Sequence, residues 1–330
     1  MPQLNNISPF AAGTALFPNE DAVDTLYVVV KATFNIGKAL TLADEQPKPM
    51  VADVYWTEPG KSSVKYGSDT HTGKPATDII MLGHACAPGQ QEVTALDVDL
   101  SVGKVRKTIR VFGDRQWQAG RITAPTPFKT MAMVYEKAYG GIHIVNGQMT
   151  SAEMRNPVGR GFAGTRKPEE MNGVPLPNLE DPNDLIRDVK DQPAPACFGF
   201  CAPNWQPRAL WAGTYDDDWK KTRAPYLPKD FDKRSLNIAH ADLVYPGFLE
   251  GDVPVHITGM HPGGPIQFDV PRTNLVTHIT IAGKEESPEF NLETLILEPN
   301  TRTFSMVWRA ALACDKKVMK IGDVKVALSR

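Results

Sequence analysis

The chain has 330 residues, 42% of them hydrophobic, enough for one large domain or two ordinary ones and for a core that needs no metal or disulfide staple. Its 36 basic residues against 38 acidic leave a net charge of −2, which argues against a general nucleic-acid binder but not against a local basic patch.

Residues 1–6 hold no basic and no apolar targeting segment. The longest apolar run near them, 26–30, is far short of the ~20 residues that span a bilayer. Four cysteines (Cys86, Cys197, Cys201, Cys314) fall at irregular spacings. The expectation is a cytoplasmic protein with reduced thiols and no membrane insertion.

The first 150 residues read as strands. Residues 26–34 (LYVVVKATF) are rich in β-branched and aromatic types. Residues 78–84 and 131–135 are further candidates. Leu96, Val98, Leu100 and Val102 alternate with Asp97, Asp99 and Ser101. After Gly103 and Lys104, residues Val105, Lys107, Ile109 and Val111 alternate with Arg106, Thr108 and Arg110, which predicts a two-residue hairpin. Acidic side chains on one strand's outer face then meet basic ones on the other.

Between 155 and 234 hydrophobic periodicity almost vanishes, although three of the six tryptophans lie there. A structureless loop of that length is improbable in a compact domain, and disordered segments lack aromatics. The reading is an irregular, proline-stiffened layer that wraps the body, a partner, or both. Asp181 before Pro182, with Asp184 following, predicts the start of a short helix carrying Leu185, Ile186 and Val189.

Strand patterning returns at Val253, Val255 and Ile257, turns through 259–264, and resumes at Ile266, Phe268 and Val270. Residues 292–298 and 303–310 flank a further turn at 299–301. No fixed-period repeat is present. The predicted fold is mainly β: an antiparallel, sandwich-like body formed by both chain ends, a long irregular Pro/Gly/Trp-rich middle, and few short helices. We read one domain over 1–330, with β-rich regions 1–150 and 241–330 around an irregular 151–240. Two β domains joined through the middle segment is the alternative.

The nucleophile elbow, the Walker loop, the His-Glu-x-x-His helix and the dinucleotide fingerprint are all missing from the sequence. Cys197 and Cys201 are half a zinc site at most, and small buried hydrophobes are the preferred reading. Asp216, Asp217 and Asp218, with Asp230 and Asp232, lack calcium-loop spacing; a solvated charged turn is preferred. His84 beside Cys86 lacks a visible third group for nucleophilic catalysis. Residues 155–162 (RNPVGRGF) offer either an anion nest around Arg155 and Arg160 or a glycine-permitted turn whose arginines cap carbonyls or pair with acids; the turn is preferred. No metal, no organic cofactor and no catalytic residue is assigned.

Trp205, Arg208, Trp211, Tyr215, Trp219, Arg223 and Tyr226 crowd one stretch. These residue types dominate interface hot spots. They are read as partner-binding residues, with the alternative that the tryptophans pin the segment to the β body.

Short motifs form an ordered series over the chain: 26–34, 43–47, 83–84 with 87–89, 111–117, 135–141 (YEKAYGG), 155–161, 176–182 (LPNLEDP), 212–215, 227–232 and 307–310. In that series the chain resembles a bacterial family long catalogued as a domain of unknown function and associated with type VI secretion as effector adaptors or chaperones. The resemblance implies a cytoplasmic protein that is not an enzyme, binds a toxic protein effector, and helps deliver it to a spike of VgrG and PAAR-type proteins. Residues 197–201 (CFGFC) and 235–245, including His240, depart from the family pattern and would suit partner-specific tuning. The alternatives are a β-rich hydrolase using His84 or His240 with an aspartate, and a structural component of a phage-tail-like assembly.

Overall fold

The computed structural model describes residues 3–329. Its central sheet joins the two ends of the chain. Strand Asp24–Ile36 pairs antiparallel with strand Thr303–Ala313, in register from Asn35 opposite Thr303 to Thr25 opposite Ala313. Ala11–Pro18 and Leu40–Leu42 pair with Asp24–Ile36, and Asn291–Glu298 pairs with Thr303–Ala313. Asp78–Met81 closes the far side in parallel with Asn291–Glu298.

Residues directly opposite share a face. One face therefore carries Val28, Val30, Ala32 and Phe34 with Ala310, Trp308, Met306 and Phe304, all in the main hydrophobic core. The other carries Lys31, Thr33, Ser305 and Arg309, which are also buried. Burial on both faces accounts for the nearly unbroken apolar run 26–30.

The predicted hairpin is present: Ala95–Val102 pairs with Val105–Phe112, and Gly103 takes φ +55° at the turn. Arg110 meets Asp97 with two hydrogen bonds of 2.7 Å across the strands. Leu179–Glu180 pairs with Val105–Phe112, while Val253–Thr258 and Ile266–Val270 extend the sheet beyond Ala95–Val102. The two sheets meet where Phe268 stacks on Phe304, ring centroids 4.6 Å apart. A third sheet runs Leu4–Asn6, Ile321–Leu328, Leu275–Ile281, Lys284–Glu286, with Leu4–Asn6 parallel to Ile321–Leu328. The fold is mainly β and its larger sheets are dominated by antiparallel pairing, as the sequence predicts.

One buried cluster extends from Phe10 to Val326 and takes in Phe198, Phe200, Trp205 and Ile238 from the middle segment. That segment is held by Leu179–Glu180 in the hairpin sheet and by the bridges Val64–Phe200 and Asp78–Val244. Among the described residues the one α-helix is Asp217–Thr222. The helix predicted after Asp181 does not form. Asp181 instead accepts from the Asn183 amide at 2.8 Å, in a turn. Ile186 donates its N–H to Glu180 Oε2 at 2.9 Å and buries its side chain beside Trp117 and Leu176, which holds the chain out of helical geometry. The acidic run forms the helix: the Asp216 carboxylate caps the Trp219 amide at 2.8 Å, and Lys220 and Lys221 occupy the last turn, where the helix dipole favours cations. Among the described residues no helix is long and apolar enough to cross a membrane. The four cysteines are free thiols.

Candidate functional site

The middle segment returns to the central sheet at its Asp78–Met81 edge. Met81 donates its N–H to Phe198 O at 3.0 Å, and Cys201 donates to Ile238 O at 2.7 Å. The Asp78 carboxylate accepts from Asn237 Nδ2 at 3.0 Å and from the Ile238 amide at 2.8 Å. Above this junction opens a cleft of about 410 Å³, floored by Tyr135, Cys201 and Ala239 and walled by Arg208, Trp211 and Val244. The Tyr135 hydroxyl lies 3.0 Å from Cys201 Sγ, and burial holds both groups above their ordinary pKa values. The floor is therefore neutral.

Three arginines line the cleft. Arg155 makes a two-pronged contact with Glu153, at 2.8 and 2.7 Å, which raises its pKa. Arg234 does the same with Asp232, at 2.9 and 2.6 Å, and lies over the Trp211 ring with its guanidinium carbon 4.8 Å from the centroid. Arg208 has no carboxylate partner among the described residues. Its Nε donates to Ser235 O at 2.9 Å, its Nη1 donates to Cys201 O, and burial lowers its pKa.

Of the aromatic-arginine series, Arg208 and Trp211 face the cleft, and Arg155 joins them from the 155–161 motif. Trp205 is 3% exposed and packs edge-on against Tyr135 beneath the floor. Tyr215, Trp219, Arg223 and Tyr226 form a second group around the short helix. Tyr215 contacts Trp219 edge-on at 4.8 Å, Trp219 Nε1 donates to Tyr226 O at 2.8 Å, and Arg223 Nη2 donates to Glu20 O at 2.6 Å. Tyr215 and Tyr226 are 50% and 40% exposed. Arg160 is away from both groups: its Nε donates to Glu136 O at 3.0 Å and its Nη1 to Asn178 Oδ1 at 3.3 Å.

The quoted motifs dock on one another. Residues 135–141 and 155–161 meet through parallel pairing of Tyr139 with Arg160 and Gly140 with Gly161. Asn156, fully buried, donates Nδ2 to the carbonyls of Tyr135 and Tyr139 at 2.8 and 2.9 Å. Residues 111–117 and 176–182 meet through the buried Arg115–Glu180 ion pair, and Arg115 also donates to Pro177 O at 2.9 Å. A family model described as an uncharacterized protein conserved in bacteria (DUF2169) matches residues 21–309. The chain belongs to this family. No curated protein and no solved structure matches it.

In this DUF2169 chain His240 also lines the cleft. Its Nδ1 accepts from the Asp242 amide at 3.2 Å and its ring hydrogen-bonds the Pro195 backbone. Burial and the nearby Lys107 ammonium push its pKa down to about 4 against the pull of Asp242. The Asp242 carboxylate is bound to Lys107 at 2.8 Å. The ring is held neutral, and its Nδ1 also lies 3.4 Å from Asp242 Oδ2. His84 is exposed, and its imidazole makes no hydrogen bond to protein among the described residues. No three His, Cys, Asp or Glu side chains among the described residues converge as a metal-ligand group. Cys197 is buried, with its thiol pushed up to about 12 by burial.

Sequence reasoning missed a charged network on the polar face of the central sheet. Lys74 Nζ contacts Asp78 Oδ2 and Thr294 Oγ1, each at 2.7 Å. Glu293 accepts from the Lys74 amide at 2.9 Å and from Arg309 Nε at 2.8 Å. Arg309 Nη2 donates to Asp69 O at 2.6 Å and lies 3.1 Å from His71 Nε2. Burial, with Arg309 and Lys74 alongside, holds His71 well below its ordinary pKa. The available signal was Arg309 and Glu293 falling inside strands whose neighbours are almost all apolar.

Proposed function

We propose that the protein is an adaptor or chaperone that binds a type VI secretion effector in the bacterial cytoplasm and helps load it onto a VgrG/PAAR-type spike. The observation that carries this reading is the open, apolar cleft on the irregular segment, with exposed apolar residues next in sequence to its lining. Met154 precedes Arg155 and is 45% exposed; Leu210 stands between Arg208 and Trp211 and is 68% exposed. An apolar cleft with exposed apolar side chains on the adjoining chain is the kind of surface that protein-interaction sites use. Rigid β sheets beneath the segment allow its loops to be shaped to one cargo without disturbing the core. Aromatics and arginines supply large contact area together with polar handles. The ordered motif resemblance supports the same reading.

The test is co-expression of the tagged protein with each candidate toxin effector of the same bacterium and with its VgrG/PAAR-type spike proteins. Stoichiometric retention of one toxin, reduced by Leu210→Asp with an unchanged thermal midpoint, is the expected result. Toxins and spike proteins that all elute free from the wild-type protein would remove the adaptor reading.

A further inference from the structure

We infer that the cleft receives an extended segment of the partner protein in which an acidic side chain stands beside bulky apolar ones, the carboxylate meeting Arg208. This inference rests on the adaptor reading and specifies the partner's chemistry. Arg208 is the cleft arginine without an acid: Arg155 is neutralised by Glu153 and Arg234 by Asp232. Its Nε and Nη1 are held by the carbonyls of Ser235 and Cys201, which fixes the guanidinium plane. Nη2 has no protein acceptor among the described residues. No aspartate or glutamate lines the cleft, so its inner surface is cationic set into apolar walls. Asp78 and Asp53 act on Arg208 only through space, and Asp78 is already taken by Lys74. A partly buried cation with no carboxylate in contact is destabilised by desolvation, and a carboxylate that reaches it forms a charge-assisted, geometrically defined contact.

The same walls reject a free phosphate or a lone carboxylate as sole occupant, because most of the lining is carbon. An internal acidic residue fits better than a chain terminus: Met154 and Leu210, chain neighbours of the lining residues Arg155 and Trp211, expose apolar side chains that a passing chain can bury.

The experiment uses the full chain, immobilised, and two acetylated, amidated peptide libraries. Both have randomised Leu, Phe, Trp and Ser positions around one fixed residue, Glu in the first and Gln in the second. Retention of the Glu library at least about tenfold above the Gln library is expected, the size of a hydrogen bond to a charged group. Arg208 also caps two carbonyls, so the blocking variant is Ala241→Trp; Ala241 lines the cleft and is exposed. Ala241→Trp with a wild-type thermal midpoint should abolish the preference. Equal retention of the two libraries on the wild-type chain overturns the inference without requiring any variant to fold. Stronger retention of a third library, in which the only carboxylate is the free C-terminus, overturns the internal-residue assignment. Toxin co-purification is a separate measurement: its success beside equal library retention removes this inference alone, and its failure removes the adaptor reading.

Discussion

The indole of Trp205 meets the phenol ring of Tyr135 edge-on, with centroids 5.1 Å apart and planes at 80°. The pair lies under the cleft, so the indole presents no surface to a partner. Trp205→Ala should cost about 3–5 kcal/mol of stability, the range for deleting a buried aromatic. Urea unfolding monitored by circular dichroism measures it. A loss below about 1 kcal/mol would mean that the floor is held by something other than this ring.

Glu293 sits between the Lys74 amide and the Arg309 guanidinium in the buried network. Glu293→Gln leaves Arg309 buried without a counter-charge, so stability should fall by about 3–5 kcal/mol. The replacement is nearly isosteric, which separates charge from packing. An unchanged denaturation midpoint would show that the remaining acceptors around Arg309 suffice.

Gly140 has φ +149°, and a Cβ added there would lie 2.1 Å from Asn156 O. Neither the backbone nor the fully buried Asn156 can yield, because the Asn156 side chain is tied to Tyr135 and Tyr139. Gly140→Ala should therefore destabilise, and by more than the ~0.4–1 kcal/mol that such a change gains where the backbone can accept it. A soluble variant melting as wild type would show that the two motifs do not depend on this close approach.

The sheets were legible to the extent that their strands are locally consistent. Residues 26–34 announce a buried strand through β-branched side chains, and Gly103 between two period-two runs announces the hairpin. The partnership of Asp24–Ile36 with Thr303–Ala313 spans most of the chain, and only the expectation that both ends share one body anticipates it. Ile321–Leu328 is less legible, since Gly322 and Asp323 interrupt its alternation before Val324 and Val326. The Lys74–Asp78–Glu293–Arg309 network was only partly legible: Glu293 and Arg309 stand out inside apolar strands, but Lys74 and Asp78, taken alone, read as surface charges, and their meeting is tertiary. The cleft was half legible. A density of Trp, Arg and Pro marks the segment, but the meeting of Arg155, Arg208, Trp211 and His240 is tertiary. Local sequence equally cannot separate the buried Trp205 from the more exposed residues that follow it.

His240 carries the pH dependence of the cleft wall. Its ring is held near pKa 4 in the folded chain against 6.5 when exposed. A histidine depressed on folding leaves its stability contribution intact above pH 6.5. As pH falls from 6.5 towards 4 the unfolded chain takes up a proton that the folded chain refuses, and stability drops by up to about 1.4 kcal/mol per pH unit. His240→Asn keeps an acceptor for the Asp242 amide and removes the titration. The stability-pH slopes of wild type and variant should therefore differ by up to one proton between those limits. Parallel curves from pH 7 to 4 would show that the ring titrates in the folded chain as it does unfolded.

The aromatic group around Asp217–Thr222 allows binding to be separated from stability. Tyr215 rests on Trp219, Trp219 is fastened to the Tyr226 carbonyl, and Arg223 ties the unit to Glu20. The two tyrosine rings are half exposed or nearly so, and neither belongs to the core cluster. Tyr215→Ala and Tyr226→Ala should each shift unfolding free energy by no more than about 0.5 kcal/mol, as surface substitutions do. If the group contacts the effector, either truncation should weaken binding by about 2 kcal/mol. Titration calorimetry with purified effector and chemical unfolding of the same samples measure the two quantities. Weakened binding at constant stability places this group in the contact surface. Unaltered binding by both variants confines recognition to the cleft, and a matched loss of binding and stability makes the aromatics supports for the helix they surround.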